Sequence, residues 1–246
     1  MKNSSVFFII LFMAAFQSQV KAQDFERIDP LRHAKENIHF LNDANGRPFK
    51  SVRNFEEEGS PYFSENYLQS NIQLRNGKTY HNIPIKFNQL TGEVIFKTSD
   101  GQEMLVANPF QRIELQHEGK TYIFRSGFPP IDKQTDVSVY QLLDSGTAVL
   151  LKYTTVLYQD KQVYNSPNTV RTYNKKENNY AWTPSQGLVR VPKKENEWAA
   201  FFGSLHTEMK SFIKKENVKL KNEEDIIRIF RHYNQLLKQV SAANTN

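Results

Sequence analysis

Gly-Lys-Thr-Tyr occurs twice in this chain, at residues 77–80 and 119–122, and it is the arrangement that most invites a chemical reading. A phosphate-binding loop requires a second glycine five residues before Gly-Lys-Thr, so that backbone amides can cradle phosphates. Ile72 and Glu114 stand at those positions, which removes the nucleotide reading and leaves a shared hairpin design. Six histidines are candidates for metal or proton chemistry: His33, His39, His81, His117, His206 and His232. None falls in an H-x-x-x-H, H-E-x-x-H or H-x-x-E-H spacing, so no metal site and no cofactor is expected. Ser60 and Ser204 lack the G-x-S-x-G elbow of a serine hydrolase and read as turn and helix residues. Carboxylates are numerous, yet no pair stands out as a glycosidase acid and base. The absence of cysteine excludes thiolate nucleophiles, cysteine zinc sites, disulfides and a lipid-modified N-terminal cysteine.

The remaining chemistry is that of binding. Aromatic residues make up 13% of the chain, enough to ask whether some line a ligand groove instead of the core. Phe63, Tyr67, Tyr164, Tyr180 and Trp182 fall in loops or at strand ends, where packing obliges them least, and are the candidate ligand-binding residues for a sugar or lipid. Lysine and arginine exceed aspartate and glutamate, 32 to 26, but the excess is spread along the chain with only short pairs such as Lys193-Lys194 and Lys214-Lys215. Scattered charge of this kind is a solvated surface, and no nucleic-acid partner is expected.

The first residues give the expected address. Lys2 precedes the unbroken apolar run 6–16, and Val20-Lys21-Ala22 offers the small residues that a signal peptidase reads. Eleven apolar residues are too few to cross a hydrocarbon core, which takes about 20. Residues 1–22 therefore read as a signal peptide, and the protein as exported to the periplasm or outside the cell, with outer-membrane association left open. No transmembrane segment is expected after cleavage.

The elements that must position any site follow. Residues 23–58 read as a partly ordered leader, with a short helix at 33–41 and anchoring by Phe49, Val52 and Phe55. From 71 to 128, apolar residues alternate with polar ones and turns recur about every ten residues, the pattern of a half-buried antiparallel meander. Asn76-Gly77 is read as a type I′ hairpin, in which both central residues take positive φ. Pro84 points to an edge or a bulge in the second strand. A second β-rich half runs from 137 to 191. It holds a long strand starting at Ala148 and shorter ones at 163–167, 169–173, 180–182 and 188–191, with Asn- and Lys-rich links between. Trp198, Phe201, Phe202, Leu205, Met209, Phe212 and Ile213 form an amphipathic stripe, and Asn222 caps a second helix with three carboxylates in its first turn. The fold class is α+β, mainly β: an antiparallel twisted meander or half-barrel sheet with a C-terminal helical hairpin. Residues 59–240 form a single β-rich domain ending in helices at about 196–214 and 223–240, followed by a frayed tail at 241–246.

Gly59-Ser60-Pro61-Tyr62-Phe63, the run from Asn71 to Asn88 and the closing 216–236 segment resemble a family of uncharacterised exported proteins from Bacteroidota. Those proteins carry G-S-P-Y, an N-G-K-x-Y turn and a last helix finishing in Y-Y-N. The resemblance implies export and domain extent, and it transfers no site residues. Together these readings predict a non-enzymatic binding or structural protein of the cell envelope, holding a lipid, a glycan or another envelope protein on a sheet face. The alternative is an envelope-polymer hydrolase using paired carboxylates.

Overall fold

The computed structural model of the chain describes residues 39–49, 55–162, 164 and 168–243. The expected signal peptide, most of the leader including His33 and Val52, and most of the 163–167 strand lie outside the described residues. The strands are β1 (Arg47–Pro48), β2 (Glu56–Glu58), β3 (Leu68–Leu74), β4 (Thr79–Phe87), β5 (Val94–Lys97), β6 (Glu103–Leu105), β7 (Phe110–His117), β8 (Lys120–Arg125), β9 (Tyr140–Asp144), β10 (Val149–Gln162), β11 (Thr169–Thr183) and β12 (Gly187–Arg190). All belong to one open sheet in the order β1-β6-β5-β4-β3-β7-β8-β9-β10-β11-β12, antiparallel except where β2 lies parallel to β11. Two meanders therefore grow in opposite directions from β3, one through β6 and the other through β12. The fold is mainly β with a C-terminal helical region, as the alternation predicts.

Turn chemistry sets this topology, with one correction. At Asn76-Gly77 only Gly77 takes positive φ, while Leu74 N–H donates to the Lys78 carbonyl and Gly77 N–H to the Leu74 carbonyl. That is the longer hairpin with glycine in the left-handed position, not a two-residue type I′ turn. The two-residue turn occurs at Glu118-Gly119, where both residues have positive φ. Pro84 pairs with Gln69 of β3 on one side and lies beyond the last β4–β5 pair, Ile85 with Phe96, on the other, so its missing donor leaves no gap in the ladder.

The core has three parts. One is built on β3–β8 and includes Phe40 from the short helix α1 (39–43) and Ala44 just after it, both with no exposed surface. The leader is thus anchored by Phe40, whose ring meets Phe96 and Tyr80 at 4.8 and 5.2 Å. A second part joins Ala148, Leu150 and Ala181 to the C-terminal helices, and a third joins Val149, Leu151 and Tyr180 to Phe128 and Tyr140. Successive residues of β10 thus enter different clusters, one on each face of the sheet.

Two sequence expectations need correction here. The shorter strands 169–173 and 180–182 are one continuous β11, because the Lys- and Asn-rich stretch between them pairs in register with residues 152–157 of β10. The first tail helix is also interrupted. It divides into α2 (Trp198–Phe202), a tight turn Gly203–Leu205 and α3 (His206–Lys215), with Gly203 at φ 56°. That backbone geometry favours glycine, and it lets the apolar stripe change direction. The final helix α4 (Glu223–Ala243) starts at Asn222, whose side chain accepts from Asp225 N–H at 3.1 Å.

Candidate functional site

The broken helix builds a groove. Beyond β12, residues 192–197 lead into α2, whose Trp198, Ala199 and Phe202 form part of an apolar floor. Ile213 of α3 and Val218 and Leu220 of the following link complete it. The end of α3 explains why these residues converge. Asn217 takes φ 49°, Val218 N–H donates to the Ile213 carbonyl at 3.1 Å and Asn217 N–H to the Lys214 carbonyl at 3.3 Å. This is a Schellman termination, which brings the residue after the left-handed position into apolar contact with the last helical turn. Asparagine is among the few side chains that tolerate that φ.

The groove is open and holds about 1050 Å³, in the range of small-molecule sites. Five lysines line it: Lys193, Lys210, Lys214, Lys219 and Lys221, against one carboxylate, Glu195. Lys210 and Lys214 are one helical turn apart on α3. Lys193 donates to Asn178 at 2.9 Å, and among the described residues Lys210, Lys214 and Lys221 have no carboxylate within 4.0 Å. Within the floor Trp198 and Phe202 lie with ring centres 5.0 Å apart, and behind it Phe202 meets Tyr233 of α4 at 5.2 Å. Trp198 Nε1 is buried without a hydrogen-bond partner among the described residues. A second depression of about 270 Å³ shares Lys193, Leu220 and Lys221 with the groove. Chemically, the groove offers an apolar trough edged with cations.

The five aromatic residues singled out from sequence do not meet in one site. Phe63 packs edge-on to Tyr122 and Phe124 at 5.0 and 5.1 Å, against the first core cluster. Tyr67 donates to Glu103 at 2.8 Å, and burial first and this contact second push its phenol up. Tyr164 is 91% exposed, while Tyr180 is fully buried with Trp182 packed against the same cluster. The lysines of the groove were not singled out. Their signal was present in 210–221, which holds five lysines and alternates Val218 and Leu220 with Lys219 and Lys221.

Carboxylates at the other sites are committed to donors. Asp43 accepts from Tyr80 and Lys78, Glu114 from Arg112 and Asn71, Asp132 from Arg190 and Tyr180, and Asp160 from Arg171. These contacts hold all four carboxyls below their ordinary values. A glycosidase acid requires the opposite displacement. Among the described residues no three His, Asp or Glu side chains are grouped to hold a metal, and no described helix is long and apolar enough to cross a membrane.

No family model matches this chain, and neither a curated protein nor a solved structure is similar to it.

Proposed function

We propose that the mature chain is an exported, non-enzymatic binding protein of the cell envelope, and that the groove between α2, α3 and the 216–222 link takes an anionic amphiphile. An acyl chain would lie on Trp198, Phe202, Ile213 and Leu220, and a carboxylate or phosphate headgroup would sit among the lysines. The observation that carries this reading is an apolar floor of this size edged by five cations and one carboxylate. Burial of apolar surface supplies affinity at about 25 cal/mol per Å². Each lysine near an anionic headgroup adds about 1 kcal/mol. The signal-like first 22 residues and the resemblance to exported Bacteroidota proteins support the location.

The test uses the mature chain carrying Trp182→Phe, so that Trp198 alone reports by fluorescence. Oleate and dioleoylphosphatidylglycerol vesicles should both change its emission, and phosphatidylcholine vesicles should do so far less. A response to oleate alone identifies a free fatty acid as the ligand, and a response to both admits a phospholipid. Lys210→Glu with Lys214→Glu should weaken binding by roughly tenfold or more, given about 1 kcal/mol for each charge. Ala199→Phe should abolish it by filling the trough. If neither anionic probe is bound, and native mass spectrometry of protein from its own envelope shows no retained lipid, the reading is wrong.

A further inference from the structure

The β10–β11 hairpin carries a second surface, independent of the groove. β9 pairs with β10 only as far as Lys152, opposite Gln141. β11 follows β10 on its other side through Gln162. Among the described residues no strand lies against the β9 side of residues 153–162, so every second residue there presents its N–H and C=O outward. The far side of β11 is partly covered by β2, which makes β10 the outer edge of this arm.

Edges of this kind are normally blunted by lysine, proline, a bulge or a short length. Here residues 153–159 read Tyr-Thr-Thr-Val-Leu-Tyr-Gln, with no charge, glycine or proline. The described residues hold five exposed large apolar side chains, and four gather at this arm. Leu157 (57% exposed), Tyr158 (47%) and Tyr164 (91%) lie on it, and Val137 (58%) lines a recess at its root. A strand of β-branched and aromatic residues with a bare ladder and apolar flanks is built to be paired.

We propose that the arm pairs with a second copy of this chain, β10 against β10, about a twofold axis passing through Leu157. In an antiparallel pair of identical strands related by an axis normal to the sheet, residues opposite one another share a face. A dyad at Leu157 sets Leu157 against its own copy, Val156 against Tyr158, Thr155 against Gln159, Thr154 against Asp160 and Tyr153 against Lys161. No like charges meet. Dyads at Asp160 or Lys161 would oppose like charges and are disfavoured. Leu157, the most exposed apolar side chain on β10, sits at the centre of the contact. The pairing ends at Lys161 opposite Tyr153, because β9 already occupies the edge of β10 from Lys152 back towards Leu150. This register covers Leu157 and Tyr158, two of the exposed apolar residues, and makes the two sheets continuous.

The test is the oligomeric state of the mature chain by sedimentation velocity. A concentration-dependent dimer is expected. Leu157→Asp should weaken it by roughly tenfold or more, because two carboxylates then face each other across the dyad. At concentrations low enough for both proteins to be monomeric its melting curve should match the parent, as Leu157 is exposed in one copy. Val240→Asp, an exposed apolar residue off the arm, should leave the dimer intact. Since the chain has no cysteine, Leu157→Cys supplies a single thiol that should cross-link to its copy on mild oxidation, while Ser185→Cys should not. A mature chain that stays monomeric, a dimer unaffected by Leu157→Asp, or a Leu157→Cys protein that fails to cross-link overturns the proposal.

Discussion

The side-chain amide of Asn234 completes a backbone ladder at Ala148. Its Oδ1 accepts from Ala148 N–H at 2.7 Å and its Nδ2 donates to the Ala148 carbonyl at 2.9 Å. Asn234 lies on the last helix and is buried, so one side chain fastens α4 to the start of β10 and satisfies both polar groups of a buried residue. Gly146 makes room for it, since a Cβ there would lie 2.5 Å from Asn234 Cγ.

Asn234→Ala should therefore destabilise the fold by about 1–3 kcal/mol, because it strands a buried N–H and C=O. Gly146→Ala should also destabilise the parent, yet cost much less in the Asn234→Ala background, where the clash is gone. A double-mutant cycle in urea checks this, and additive effects would contradict the arrangement.

Tyr140 is the reverse case. Its hydroxyl is buried with no partner among the described residues, wedged against Phe128, Tyr153 and Tyr180 with ring centres 5.3–5.5 Å away. Tyr140→Phe keeps the ring packing and removes an unsatisfied polar atom, so it should raise stability by about 1 kcal/mol. A lower melting temperature would show that the hydroxyl has a partner.

The neighbouring Tyr180, Asp132 and Arg190 set both pH limits of this region. Burial, then the hydrogen bond to Asp132, pushes the Tyr180 phenol up to about 12. An unfolded tyrosine ionises near 10, so the contribution is complete below about pH 10 and is lost as pH climbs towards 12. Asp132 is held low, first by the hydrogen bond from Arg190 and then by that from Tyr180. Its contribution is present above about pH 4 and disappears as acid protonates the folded carboxylate. Urea midpoints across pH should show Tyr180→Phe flattening the alkaline limb and Asp132→Asn the acid limb.

Phe202 ties the groove floor to the core. It is 3% exposed and packs on Trp198, Phe201 and Tyr233. Phe202→Ala should cost about 3–5 kcal/mol. An unchanged melting curve would mean that α2 is not docked.

What could be read in advance follows from which elements are half-buried. The 71–128 meander was legible because one face meets the core and alternation survives: β4 buries Ile83, Ile85 and Phe87 while His81, Pro84 and Lys86 are less covered. The middle of β11 was not, because residues 174–177 are exposed on both faces, and a strand solvated on both sides keeps no period. The tail stripe was visible, but its break at Gly203 was not, since the apolar residues continue at helical spacing through the turn. The groove escaped notice for a different reason. Its lysines come from a loop, a helix and a link, and only the Schellman ending at Asn217 brings them round one trough.

The contact between Asn234 and Ala148 also bears on how the molecule comes into being. Synthesis proceeds from the N-terminus, so Asn234 is made 86 residues after the Ala148 whose N–H and C=O it satisfies. The start of β10 is therefore locked only when the last helix has been made, so closure of this part of the sheet is a late event in folding.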